Sequence, residues 1–177
     1  MLASAAFSSS NTTVSATVAA TISISTGNTV AVAVTPTASG SLSSSSDSVQ
    51  VSTNNATGYT LTLADSDATT SLASGSNTIP AHTGTQASPT ALATNRWGYR
   101  VVNVGGFGAA AYNGESNITS SSSTWAGMPA TGAANTIKTT ATTASGDLTT
   151  VWYGVRATSS QPAGTYTGTV TYTATTN

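Results

Sequence analysis

Few side chains of this 177-residue chain can act as acids or bases, and the only histidine is His82. It lies two residues after Pro80 in a polar stretch, with no carboxylate close to it in the sequence. General acid–base catalysis depends on a positioned His, Asp, Glu or similar group. A Ser-His-Asp triad would have to be assembled from distant parts of the chain, because triads are defined by geometry. With one such histidine, the sequence predicts a protein that is not an enzyme and carries no cofactor.

The acidic residues are spread along the chain, at Asp47, Asp65, Asp67, Glu115 and Asp147. Only Asp65 and Asp67 have a spacing at which two carboxylates could share a cation. Calcium takes about six to eight oxygen ligands, whereas Asp side chains commonly bond to the backbone two residues ahead in turns. The pattern therefore favours a solvated turn at Asp65 and predicts no metal site.

Three aromatic residues, Phe107, Tyr112 and Trp125, fall in an irregular stretch with little periodicity. Exposed aromatic rings stack on the apolar faces of sugars, and Trp and Tyr combine a large apolar surface with one polar group. These three residues are therefore candidates for a ligand or adhesion surface. The alternative is core packing, which the sequence favours for Trp97 and Trp152 because they lie in strand-like runs.

Charged residues make up only 5% of the chain, and the formal net charge is -1. Ser and Thr, more than a third of the residues, supply an uncharged hydrophilic surface that does not oppose self-association as a high net charge does. The 4 basic residues form no patch that could neutralise a run of phosphates, which argues against a nucleic-acid partner. No stretch of about 18 apolar residues is present, so the sequence predicts no membrane span.

A regular alternation of apolar and polar residues covers residues 13–25. Its apolar face carries Val14, Ala16, Val18, Ala20, Ile22 and Ile24. A period of two over this length predicts a long strand, and the strand has none of the lysines, prolines or bulges that usually protect an exposed edge. Two arrangements remain open. Either the strand pairs within its own domain, or residues 12–25 are donated to a neighbouring copy of the chain.

Further alternating runs, separated by turns that contain Gly, Asn and Pro, follow along the chain. They predict about seven to nine short strands and no helix, which is typical of a β-sandwich. The predicted fold is all-β, a single immunoglobulin-like or pilin-like sandwich over residues 12–177 with two long loops. Residues 1–11 are expected to be a flexible N-terminal segment or the remnant of a secretory signal.

Four segments resemble a family of bacterial surface domains: residues 52–61, 95–99, 151–155 and 162–172. With them, the chain from about Val14 onward is similar to the Thr/Ser-rich, pilin-like β-sandwich surface domains of ultra-small episymbiotic bacteria. The last segment also resembles the close of spore-coat-U and chaperone-usher pilin domains. This second resemblance implies secretion and polymerisation by strand donation, although the cysteine pair common in chaperone-usher pilins is absent.

These patterns predict a structural subunit of an extracellular filament or appendage on a bacterial cell surface. Its partners would be other copies of itself, joined into a homopolymer by strand pairing between protomers. The alternative is a cell-surface adhesin or carbohydrate-binding module that binds a host-cell or glycan surface.

Overall fold

A computed structural model describes residues 1–177 and contains strands and turns but no helix. The all-β sandwich predicted from the alternating runs is confirmed. The strands are β1 (Ile22–Ser25), β2 (Ser41–Thr53), β3 (Tyr59–Asp65), β4 (Leu72–Ser74), β5 (Asn77–Ile79), β6 (Thr90–Ala91), β7 (Arg96–Arg100), β8 (Thr124–Trp125), β9 (Asn135–Thr139), β10 (Ala144–Ala157) and β11 (Val170–Thr176). The structure has no helix with the length and apolar character needed to cross a membrane.

Two sheets pack against each other to form the sandwich. The first sheet has the strand order β1-β2-β10-β7, and the second has the order β11-β3-β9. Neighbouring strands in both sheets are antiparallel. The remaining strands form the small pairs β4-β5 and β6-β8, whose members are two or three residues long.

The core lies between the two sheets, and the alternation of β2 and β3 shows how their strands point alternate side chains into it. In β2, Val49 and Val51 are buried while Gln50 between them is exposed. In β3, Tyr59, Leu61 and Leu63 are all buried. Since successive side chains of a strand point to opposite faces, the period-two pattern gives each sheet an apolar inner face, and these faces supply most of one core of 16 buried residues.

The long strand predicted over residues 13–25 forms only at its C-terminal end. The four residues of β1 pair with β2, from Ile22 opposite Thr53 to Ser25 opposite Gln50. β2 ends at Thr53, and the chain then turns toward β3. Residues before Ile22 therefore have no strand to pair with in the domain. The alternating sequence pattern extends beyond the paired residues for this reason.

The two stretches predicted as long loops contain the short strands. The first includes the hairpin β4-β5 and the strand β6, and the second crosses the outer face of the first sheet, where β8 pairs with β6. Leu42 of β2 exchanges two backbone hydrogen bonds with Ile118, at 2.8 and 3.0 Å. The second loop is therefore attached to the sheet as an additional layer.

Candidate functional site

Residues 1–20 make no backbone-to-backbone hydrogen bond with the rest of the chain. On the apolar face of this segment, Val14 is 89% exposed and Val18 is 85% exposed, and Ala16 and Ala20 are exposed as well. Of the predicted assembly strand, only its last two apolar residues, Ile22 and Ile24, lie in β1. The four apolar residues before them are unpaired.

Asn54, in the turn after β2, holds the end of the unpaired segment. Its Oδ1 accepts a hydrogen bond from the backbone N–H of Thr21 at 2.7 Å, and its Nδ2 donates to the carbonyl of Ala19 at 3.0 Å. These two bonds continue the direction of β1 past the end of β2. The segment therefore leaves the domain at the end of the sandwich where the β2–β3 turn lies.

A second segment with strand-like geometry but no strand partner follows β1. Residues 28–36 make no backbone-to-backbone hydrogen bond, yet Val30, Val32 and Val34 are half-buried against the main core and the residues between them are exposed. Backbone N–H and C=O groups in folded proteins are nearly always paired, with protein or with water. The N–H groups of Asn28 and Thr35 donate to the side chains of Thr26 and Asn117. The other backbone groups of this segment are available to pair with another strand.

β11 is the outer strand of the second sheet, and only one of its edges is occupied. It pairs with β3 along its length, and no strand is hydrogen-bonded to its other edge. Its inward-facing residues Val170, Tyr172 and Ala174 are half-buried, whereas the inward-facing residues of β3 are fully buried. The main core is therefore less well covered along β11 than along its neighbour.

Asp47 holds the chain just before residues 28–36. Its Oδ1 accepts a hydrogen bond from the backbone N–H of Gly27 at 2.8 Å. Burial raises the pKa of Tyr172 in β11, and the charge of the nearby Asp47 carboxylate raises it further. β1, which ends just before Gly27, also lies beside β11, so residues 28–36 begin on the side of the sandwich where β11 lies.

Trp125 lies in a small cluster on the outer face of the first sheet, which we call the outer cluster and which consists of Leu42, Leu92 and Trp125. Trp125 is 0% exposed. Phe107 is buried in the main core, with its ring edge against Tyr99 at 5.9 Å. Contrary to the expectation of an aromatic platform, these two rings offer no face to a ligand, because the loop that carries them wraps its aromatic side chains inward.

Tyr112, the third residue of the expected platform, is half-buried at the margin of the outer cluster. Its ring packs edge-to-face against Trp125 at 5.7 Å and against Trp152 at 5.0 Å. The guanidinium carbon of Arg100 lies 4.2 Å from the ring centroid, a geometry that gives a favourable cation–π contact. Tyr112 therefore supports the neighbouring aromatic side chains.

Glu115 anchors the second long loop through polar contacts. Its carboxylate accepts hydrogen bonds from the hydroxyls of Ser121 at 2.6 Å, Ser123 at 2.8 Å and Tyr112 at 2.9 Å. Its backbone N–H donates to Ser44 Oγ at 2.9 Å. Both carboxylate oxygens are therefore used inside the protein.

His82 is buried rather than solvated. Its Nε2 lies 2.8 Å from Thr90 Oγ1, and its Nδ1 faces the backbone N–H of Ala93 at 3.5 Å. Burial lowers the pKa of His82, and the positive charge of Arg96 lowers it further. The ring contacts a hydroxyl and a backbone group but no carboxylate, so this arrangement favours a structural role.

Two clefts meet at Trp152 on the surface of the sandwich. The larger, of about 880 Å³, opens beside β9 and β10 and is lined by Ile137, Lys138 and Leu148 among others. In the smaller, of about 430 Å³, Trp152 is the only hydrophobic lining residue. The other residues that line the smaller cleft are Ser44, Ser45, Ser46, Asn113, Gly114, Glu115 and Ser116.

No protein-family model, no curated protein and no solved structure matches the chain.

The sequence did not predict two features of the surface: the unpaired segment 28–36 and the partly exposed position of Trp152. The alternation at Val30, Val32 and Val34 predicts a strand but does not reveal that the strand lacks a partner. Trp152 was assigned to the core, although it stands between Val151 and Tyr153, which are both buried. The period of two could have placed Trp152 on the outer face.

Proposed function

We propose that this protein is a structural subunit of an extracellular bacterial filament or surface appendage, in which copies of the chain assemble by β-strand pairing. The observation that carries the proposal is the exposure of the alternating segment 12–20, on which Val14 and Val18 are almost fully accessible. A strand-forming segment without charge or proline is an aggregation hazard unless a partner covers it. A neighbouring copy of the chain is a partner with a matching unpaired edge.

The acceptor in this proposal is the edge formed by residues 28–36 and β11. Both have unpaired backbone groups, and both expose part of their apolar side chains. A strand from another copy would complete the hydrogen bonding of such an edge and cover its side chains, as in other cases of strand addition. β11 has 7 residues, which matches the length of the segment 14–20.

The unpaired segment is better suited to a neighbour than to its own domain. The bonds of Asn54 direct it past the end of β2. Residues 12–20 contain no Gly, Pro, Asn or Asp, which favour tight turns more strongly than the Ser and Thr residues that the segment does contain. A return to the acceptor of the same domain would need a reversal that this sequence does not favour.

Burial of Val14 and Val18 would contribute roughly 3–6 kcal/mol before the cost of ordering the segment. Ile22 and Ile24 are already placed in β1, so they add little to contact between subunits. Each new backbone hydrogen bond adds about 0.5–1.5 kcal/mol. Assembly should therefore depend on pairing along the whole segment rather than on one side chain.

Removal of residues 1–20, which leaves β1 intact, tests the proposal. The full chain is expected to form filaments visible by negative-stain microscopy, and the shortened chain is expected to be a folded monomer by sedimentation velocity. A synthetic peptide of residues 10–20 should bind the shortened chain saturably and raise its melting temperature. A full chain that is monomeric at every concentration, or filaments that form without residues 1–20, would overturn the proposal.

A matched pair of substitutions tests whether filament formation depends on the apolar face of the segment or is sensitive to any added charge. Val18→Asp and Thr17→Asp introduce the same charge one residue apart, on opposite faces of the segment. Burying an unpaired carboxylate costs several kcal/mol, so only Val18→Asp should abolish filaments. Equal effects of the two substitutions would contradict pairing through the apolar face.

The position of the acceptor can be tested by disulfide trapping, since the chain has no cysteine. Thr17→Cys combined in turn with Thr171→Cys, Thr173→Cys or Thr175→Cys on β11 should give a crosslink between subunits in at least one register. The Cα atoms of a disulfide lie about 4.4–6.8 Å apart, so the crosslink reports close pairing. Thr17→Cys with Thr150→Cys, at the larger cleft, is the control and should stay uncrosslinked.

The alternative function, a cell-surface adhesin or carbohydrate-binding module, requires an accessible binding face. Trp125 is buried and does not provide one. The smaller cleft beside Trp152 is the feature that favours this alternative.

A further inference from the structure

Trp152 offers a partly exposed aromatic surface on a rigid strand. It lies on the outer face of β10, directly opposite Ser46 of β2, and the buried side chains of Val151 and Tyr153 fix the strand on either side of it. Strands of a sheet position side chains more firmly than loops do. The indole is therefore presented to solvent in a defined orientation.

The backbone of Gly114 holds the indole from the loop side. Gly114 has a φ of 86°, and a Cβ at this position would lie 2.8 Å from the Trp152 ring. Only glycine allows the loop to come this close while its backbone adopts this conformation. The loop therefore forms one wall of the smaller cleft against the edge of the ring.

Polar side chains form the rim of the smaller cleft. Ser46, Asn113 and Ser116 are exposed, so their hydroxyl and amide groups can bond to a ligand. Ser44 and Glu115 are instead engaged with each other and with Tyr112. The rim thus combines free uncharged donors and acceptors with one aromatic surface.

The charge of the smaller cleft restricts the class of ligand. No Lys, Arg or His lines it, so a phosphate or an acidic sugar would have no counter-charge. Its only carboxylate, Glu115, accepts hydrogen bonds from three hydroxyls and is not free to bind a cation. The ligand that fits is neutral, rich in hydroxyl groups, and apolar on one face.

We propose that the smaller cleft binds a neutral oligosaccharide, with one pyranose ring stacked on Trp152 and its hydroxyls bonded to Ser46, Asn113 and Ser116. The volume of about 430 Å³ falls within the range of roughly 300–1,000 Å³ that is typical of ligand pockets. The cleft lies on the outer face of the first sheet, whereas the proposed acceptor strand β11 belongs to the second sheet. Sugar binding therefore does not depend on strand assembly.

Fluorescence quenching can follow this site selectively, because Trp97 and Trp125 are buried and only Trp152 is accessible to acrylamide. The experiment uses the Val18→Asp full chain, so that failure of assembly does not affect it. The protein is titrated with cellohexaose, chitohexaose and mannohexaose in turn. At least one of these sugars should protect Trp152 saturably from quenching, and isothermal calorimetry should give the same affinity.

Substitutions at the rim test whether the binding is at the smaller cleft. Asn113→Ala and Ser116→Ala change exposed side chains and should each weaken binding about tenfold, which is about 1.4 kcal/mol. Ser48→Ala, on the same sheet face but outside the cleft, should leave the affinity unchanged. Trp152→Ala should abolish binding detected by calorimetry, and the rim variants carry the test if that variant fails to fold.

Three results would overturn the sugar site. One is no saturable binding of any of the three hexasaccharides. Another is an affinity that neither Asn113→Ala nor Ser116→Ala changes. The third is protection of Trp152 that rises with protein concentration and not with sugar, which would identify a second copy of the chain as the occupant.

Discussion

The indole ring of Trp125 lies across the backbone of Gly154. A Cβ at Gly154 would lie 2.7 to 2.9 Å from three carbons of this ring. Glycine inside a strand usually costs about 0.5–1 kcal/mol relative to alanine. Here its missing side chain creates the space in which Trp125 is fully buried, so the strand position and the loop tryptophan depend on each other.

Gly154→Ala is therefore expected to lower the free energy of unfolding by about 1–3 kcal/mol, as overpacking of a filled core does. The added methyl group must displace the Trp125 ring, which should also change the near-ultraviolet circular dichroism. Urea denaturation measures the loss. In a Trp125→Leu background the same substitution should be neutral or stabilising, and an equal loss in both backgrounds would contradict the proposed contact.

Trp125→Ala is expected to destabilise the protein by about 3–5 kcal/mol, as for other buried aromatic side chains. Trp125 fills the outer cluster with Leu42 and Leu92, and its removal would leave a cavity there. Thermal and urea denaturation measure the change. A shift in melting temperature of only a degree or two would mean that Trp125 is not packed as described.

Asp65→Asn is expected to raise the free energy of unfolding at about pH 7 by about 1 kcal/mol. Burial raises the pKa of Asp65, and its Oδ2 has no hydrogen-bond partner. The stability that this raised pKa contributes is present below the unfolded value of about 3.9 and is lost as the pH rises through the folded value. The substitution should therefore give no gain at about pH 3.

Asp147→Asn is the matched control for Asp65, with the opposite sign. Burial by itself would raise the pKa of Asp147, but hydrogen bonds from Lys138 and Tyr59 and the charge of Lys138 lower it below its ordinary value. Its contribution to stability is present above the unfolded pKa and is lost as the pH falls. Urea denaturation at a series of pH values should show that Asp147→Asn lowers the free energy of unfolding near neutral pH and has no such effect in acid.

His82→Gln is expected to remove one source of acid sensitivity and to leave filament formation unchanged. The pKa of His82 is lowered in the folded state, so its contribution is fully present above the unfolded value of about 6.5 and is lost as the pH falls. As the pH falls from about 8 to about 5, the free energy of unfolding of the variant should rise relative to that of the original chain. A variant that keeps the same pH dependence, or that loses filaments, would contradict a purely structural role.

The periodicity of the sequence determined the fold class and the direction in which most side chains point. Val49, Val51, Leu61 and Leu63 occupy alternate positions in strong strand-forming runs, and each lies in the core. The absence of helical periodicity likewise predicted a structure without helices. These are local properties, because the side-chain direction in an extended chain depends only on the parity of the position.

Only the tertiary structure decided which segments lie beside one another and which side chains they cover. Residues 13–25 alternate with one exception, at Ala19, yet pairing begins at Ile22 because β2 ends at its partner Thr53. Trp125 is buried because a distant strand has glycine at residue 154 beneath it. Strand partners and coverage arise from contacts between residues far apart in the chain, and the local pattern of one segment carries no information about them.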